Sequence, residues 1–220
     1  MKRLAYVAVI AGLTAIAPPA DAGLLELDAQ IHAGGQAGKG WRGARQDEAF
    51  HDHSSGAGYG ALVGVEFLFI DVWIEHNQFV NDARDSGSGI HGTWTQFMTG
   101  MDVQFDIGDK AGQPPAQGEK DKRHYKTYAA LGVGVGFGVG TGQQVDPPLD
   151  NAQITDKGAV GQAHLDFGYR LNEVMSIGIH IPVQVNWLVR NDTTANDNGN
   201  WYGEYNVAGF VTLRANFAIK

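Results

Sequence analysis

The chain has 220 residues, no cysteine, 31 glycines, 7 prolines and a formal net charge of −8. Without cysteine there is neither a disulfide framework nor an acylation site of the lipoprotein kind, and the acidic balance argues against a nucleic-acid partner. After Ala17 no continuous apolar run approaches the ~20 residues of a spanning helix, so a membrane crossing would have to be made by a closed barrel.

Residues 1–22 read as a secretory signal. Lys2 and Arg3 supply the charged start, Leu4 to Ala17 the apolar stretch, and Ala20-Asp21-Ala22 an A-x-A cleavage site. Pro18-Pro19 ends the run too early for a core helix. The mature chain, 23–220, is expected to form one domain.

Eight segments then alternate with the period of two that marks a strand with one apolar face. In the first, Leu25, Leu27, Ala29, Ile31 and Ala33 oppose Glu26, Asp28, Gln30 and His32. The second sets Tyr59, Ala61, Val63, Val65 and Phe67 against glycines and Glu66. The third sets Ile70, Val72 and Ile74 against Asp71, Trp73, Glu75 and Asn77, and the fourth Phe97, Thr99, Met101, Val103 and Phe105 against Gln96, Met98, Asp102 and Gln104. In the fifth, Leu131, Val133, Val135, Phe137 and Val139 alternate with Gly132 through Gly140. The sixth sets Ala163, Leu165, Phe167 and Tyr169 against Gln162, His164, Asp166 and Arg170. The seventh, from Met175 to Trp187, opposes Ser176, His180, Gln184, Asn186 and Arg190. The eighth, from Tyr205 to Ile219, opposes Glu204, Asn206, Thr212, Arg214 and Asn216.

The connections alternate in length. Residues 34–57, 79–92, 140–158 and 190–203 are long and polar, whereas Leu68-Phe69 and Leu171-Asn172-Glu173 are tight. Long loops on one side and short turns on the other is the asymmetry of an outer-membrane barrel. Residues 106–124 break it and are read as a periplasmic insertion.

Aromatic residues on the apolar parity sort by height. Phe67, Phe105, Tyr125, Phe167, Tyr169 and Phe217 fall at the short-turn ends. Tyr59, Phe137, Trp187 and Tyr205 fall at the long-loop ends. Two such girdles are expected where a barrel meets the two faces of a bilayer. The apolar parity is almost free of charge, and the other carries carboxylates, His and Arg. The fold expected is therefore all-β: an eight-stranded antiparallel up-and-down transmembrane β-barrel, apolar face outward, polar interior. The inward glycines of the fifth strand leave room for bulky residues such as Trp73, Met98 or Phe210.

The signal, the eight amphipathic strands, the periplasmic termini and the aromatic Phe217 near the end resemble the small eight-stranded outer-membrane proteins of Gram-negative bacteria, the OmpA transmembrane domain, OmpX and OmpW groups. The resemblance spans the mature chain. It implies a bacterial outer-membrane location, with lipid, lipopolysaccharide and the barrel-assembly machinery as partners.

The inward charges are expected to form a polar network of Glu26, Asp28, Glu66, Asp71, Glu75, Asp166, Arg170, His180 and Arg214. Closure of the first strand on the eighth predicts a Glu26–Arg214 contact. The turn at 171–174 brings Asp166 to His180 and Arg170 to Ser176, and Glu66 adjoins Asp71. In the first long loop, His51, Asp52 and His53 are a weak metal candidate, and with Ser54 a weak hydrolase or acyltransferase candidate. A solvated loop is favoured over both. Trp41, Arg42 and Arg45 could meet lipopolysaccharide phosphates. The glycine run at 132–140 lacks the Lys-Ser/Thr and helix of a phosphate loop. No cofactor is implied.

The expected role is a non-enzymatic scaffold with four surface loops, serving adhesion, envelope integrity or an envelope complex, with protein partners at the loops or the 106–124 insertion. The alternatives are a narrow channel for ions or small solutes, a lipid-modifying outer-membrane enzyme, and a soluble secreted β-barrel that binds an apolar ligand.

Overall fold

The structure, a computed structural model, describes residues 25–43, 46, 49–53, 55–67, 70–80, 90–107, 127–144, 153–172, 174–192 and 200–219. The leader 1–22, Arg45, Ser54, Tyr125 and most of the 106–124 insertion lie outside the described residues.

Eight strands form the wall: β1 Leu25–Gly43, β2 Gly56–Phe67, β3 Ile70–Val80, β4 Ile90–Ile107, β5 Thr127–Gln144, β6 Gln153–Arg170, β7 Met175–Asp192 and β8 Asn200–Ile219. A four-residue helix, α1 Phe50–His53, lies between β1 and β2. Each strand pairs antiparallel with the next, and β1 closes on β8, so the barrel has no free edge. Between β6 and β7 the turn is fixed by Asn172, whose Oδ1 accepts the amides of Val174 and Met175 at 2.9 and 2.8 Å.

Strands run further toward the long-loop rim than the alternation implies. β1 continues to Gly43, β6 begins at Gln153 and β8 at Asn200, which shortens the expected loops 34–57, 140–158 and 190–203. Above a lipid band the wall no longer needs one apolar parity, yet backbone pairing goes on. Arg190 on β7 holds Asp156 on β6 there through two bonds of 2.9 and 2.7 Å.

The stagger sets the interior width. Following paired residues from Leu27 through Val65, Val72, Thr99, Val135, Gly161, Val185 and Tyr205 returns to β1 at Lys39, 12 residues further along. That is about 40 Å of stagger around a girth of about 38 Å, which tilts the strands by about 45°. On β2, Tyr59 and Phe67 are eight residues apart, or about 19 Å along the barrel axis at that tilt.

The apolar parity faces out: Phe105, Val211 and Val135 are 56, 60 and 64% exposed. Tyr59, Phe67, Phe167, Tyr169, Trp187 and Tyr205 are exposed on the same surface. Phe217 departs from the expected girdle. It keeps the outward parity, opposite Leu27, but is 5% exposed, in a buried patch with the Ala29–Ala215 pair at the β1–β8 seam.

This arrangement is testable at one position. Val135→Lys puts a charge on the apolar band and is expected to cost about 2–4 kcal/mol. The loss is read as a lower urea midpoint of the heat-modifiable folded band in lipid. An unchanged midpoint would remove Val135 from the lipid-facing band.

Candidate functional site

The interior is built in layers, each set by the register. At the turn end lies a cavity of about 50 Å3. Among its described lining residues are Glu26, Asp28, Glu66, Asp71, Asp102 and Asp166, with Arg214, His164 and His180. His180 Nδ1 donates to Asp166 at 2.6 Å, and Arg214 Nε donates to Asp28 at 2.9 Å. The expected Glu26–Arg214 contact is corrected to this one. Glu26 pairs with Ala218, while Arg214 pairs with Gln30, so the guanidinium has Asp28 nearer along β1. Glu66 and Asp71 are register partners beside the β2–β3 turn. Arg170 pairs with Ser176 and lies over the Tyr128 ring at 5.2 Å, and the Tyr128 hydroxyl meets Ser176 at 3.2 Å.

The middle layer is a cross-barrel amide network. Gln96 on β4 is its hub. Its Nε2 donates to Glu75 at 2.6 Å and to Gln162 at 3.0 Å. Its Oε1 accepts from Trp94 and from Gln184, each at 3.0 Å. Asn206 extends the network to Gln36 at 3.2 Å, and His32 joins it through Asn77, which donates to Glu75 at 2.9 Å. Such a network in a low-dielectric interior is rigid because each member fixes the next.

The upper layer is a plug. The loop after β1 leaves at Gly43 and re-enters at Gly56, both at positive φ (105° and 145°), where a side chain would be strained. Between them α1 dips into the barrel mouth. Phe50 and His51 are fully buried against Trp94, with ring centroids 5.7 and 4.7 Å away. Glu204 on β8 accepts the His51 amide at 3.1 Å, a short bond from His51 Nδ1, and Asn186 Nδ2 at 3.1 Å. Phe50 N donates to the Tyr202 hydroxyl at 3.3 Å. The seat exists because side chains are missing: a Cβ at Gly38 would strike His51, and one at Gly140 would strike Phe50 and Trp94.

For His51 these layers overturn the expectation of a solvated loop. His51 is interior, because apolar Phe50 and the His51–Glu204 pair gain more by filling the mouth than by staying in water. Asp52 is half-buried, and the His53 side chain, which the weak His51–Asp52–His53 metal candidate needs, lies outside the described residues. The three-residue cluster with metal-ligand spacing among the described residues is instead Asp102, His164 and Asp166.

No protein-family model matches the chain, and no curated protein sequence does. Solved structures do resemble it. Neisserial surface protein A superposes with a TM-score of 0.50 at 7% identity, covering 86% of this chain and 96% of that one. A major outer membrane protein from Thermus thermophilus covers 88% of this chain and 99% of its own, at 13% identity and a TM-score of 0.48. The N-terminal barrel of Pseudomonas aeruginosa OprF covers 86% and 97%, at 11% and 0.39. The fold is that of the eight-stranded outer-membrane barrels.

Seen as an outer-membrane barrel, the molecule has its plug at the long-loop rim and its carboxylate cavity at the turn end, the periplasmic side in such proteins. On the outer wall near the rim, a bulge between Gly40 and Arg42 leaves Trp41 unpaired. Its ring meets Trp187 edge-on at 5.5 Å, and Lys39 and Arg42 are exposed beside it. Sequence reasoning missed Asp102, His164, Gln96, Glu204 and the Asp156–Arg190 pair as interior partners. All carry the inward parity of the alternating stretches or their continuation, which is the signal that could have found them. Which residues they meet depends on stagger.

Proposed function

We propose that this chain is a closed, non-enzymatic scaffold of the bacterial outer membrane, exported by residues 1–22 and presenting its rim to the exterior. The observation that carries the reading is the filled lumen. Plug, amide network and carboxylate layer occupy it in turn, and among the described residues a cavity of about 10 Å3 below the plug is separate from the one of about 50 Å3 at the turn end. A continuous ion path needs a connected, wider void. The rim patch of Lys39, Trp41 and Arg42 suits the phosphates and acyl edge of lipopolysaccharide. His51, bonded to Glu204 through Nδ1, is fully buried under the plug, which favours a structural role over that of a general base open to a substrate.

Reconstitution in a planar bilayer tests this. The wild-type chain is expected to give no resolved current steps. Steady openings would sink the closed-scaffold reading in favour of the narrow channel. In cells, overexpression is expected to leave lipid A acylation unchanged. An altered lipid A profile that disappears in His51→Ala would favour the lipid-modifying enzyme.

A further inference from the structure

We propose that Asp102, His164 and Asp166 bind a divalent first-row transition-metal ion in the turn-end cavity. The residues come from one row of the register. Asp102 on β4 pairs with Gly132 on β5, and Gly132 pairs with His164 on β6. A Cβ at residue 132 would overlap the His164 ring, so the glycine is what lets the imidazole lean across β5 toward Asp102. Asp166 follows two residues later on the same face of β6.

The distances suit a metal better than hydrogen bonds. His164 Nε2 is 3.7 Å from Asp102 Oδ2 and 3.7 Å from Asp166 Oδ2, and all three donor atoms lie within 4.8 Å of one another. A hydrogen bond needs about 2.7–3.2 Å. Donors bound to one tetrahedral ion by bonds of about 2.1 Å stand about 3.4 Å apart. One imidazole with two carboxylates is a donor set for zinc or a neighbouring first-row metal, whereas calcium prefers oxygen alone.

A second observation points into the same space. His180 and Trp73 are 4 and 6% exposed and line the cavity, yet His180 Nε2 and Trp73 Nε1 have no hydrogen-bond partner. Asp102 Oδ1 and His164 Nδ1 lack one too. Buried polar atoms are rarely left unpaired, and four around one cavity mark a missing polar occupant. Water bound to an ion held by the three ligands would meet the His180 and Trp73 nitrogens. Charge agrees: among the described lining residues six carboxylates face one guanidinium, Arg214, which is committed to Asp28. His180 also holds Asp166 at its other oxygen, the arrangement that orients a ligating group.

The site stands independently of the scaffold reading. The full mature chain, folded in detergent and stripped with a chelator, is dialysed against Zn2+ and its bound metal counted. One zinc per barrel is expected, with affinity lowered at least about tenfold in His164→Gln and in Asp102→Asn and kept in the outward-facing His76→Gln. Equal zinc in wild type and His164→Gln would overturn the proposal. His164 makes no hydrogen bond shorter than its 3.7 Å contacts, so the heat-shifted folded band is expected to survive its replacement. Should that variant fail to fold, Co2+ added to the wild type decides: visible d–d absorption supports the site, and its absence at saturating Co2+ overturns it.

Discussion

The E204A variant is expected to lose about 3–5 kcal/mol of stability and to expose His51. Glu204 is fully buried and is the acceptor for both His51 donors and for Asn186. Alanine removes all three bonds and leaves the donors without water or partner, which is the costly half of breaking a buried pair. α1 has four residues and cannot hold its shape alone. Its other anchors are the 3.3 Å bond from Phe50 N to Tyr202 and the Ser55 bonds to Gly38 N at 3.3 Å and His51 O at 2.9 Å. Lifting the plug therefore costs less than unfolding the wall, and the variant opens locally first. Carbethoxylation of histidine followed by mass spectrometry reads this. His51 is expected to stay unmodified in the wild type and to react in E204A. E204Q, which keeps one acceptor oxygen, is expected to fall between. An E204A protein with wild-type urea midpoint and a protected His51 would remove the plug from the account of why the barrel is closed.

The wall was legible because lipid enforces a rule that a single sequence can display. Leu131 to Val139 alternate with glycines because one face meets hydrocarbon and the other a crowded lumen. Strand number, parity and the inside-out arrangement followed from that. Trp73 and Met98 do fill the glycine strip, against Gly134 and Gly136, while Phe210 packs instead on the His32 ring at 4.6 Å. What stayed hidden depends on stagger and on loops. Twelve residues of stagger decide that Arg214 meets Asp28 and that Asp102 meets His164 across Gly132. A different stagger would leave every strand's alternation unchanged. His51 was hidden for another reason. Its loop has no periodicity, and its burial comes from a vacancy made by Gly38 and Gly140, some hundred positions apart.

The glycine strip of β5 carries the other large effect. Gly138→Ala adds one methyl group and is expected to cost about 1–3 kcal/mol or more. The new Cβ would overlap Trp94 Cζ2, with Cη2 and Cε2 at 2.7 and 2.9 Å. Trp94 cannot step aside. It is 1% exposed, its Nε1 is bound to Gln96 at 3.0 Å, and Phe50 and His51 close over it from the plug. Strain at residue 138 therefore passes to the amide hub below and the plug above. Gly209→Ala is the matched control. It faces outward with nothing within 4 Å of the new Cβ, so its urea midpoint is expected to hold or rise slightly, since alanine restricts the unfolded chain. Trp94→Leu, which is costly alone, is expected to become cheaper in the Gly138→Ala background, because the two changes share one volume and their effects do not add. Strict additivity would mean that the methyl group and the indole do not compete, and that glycine at 138 serves the strand and not the space inside it.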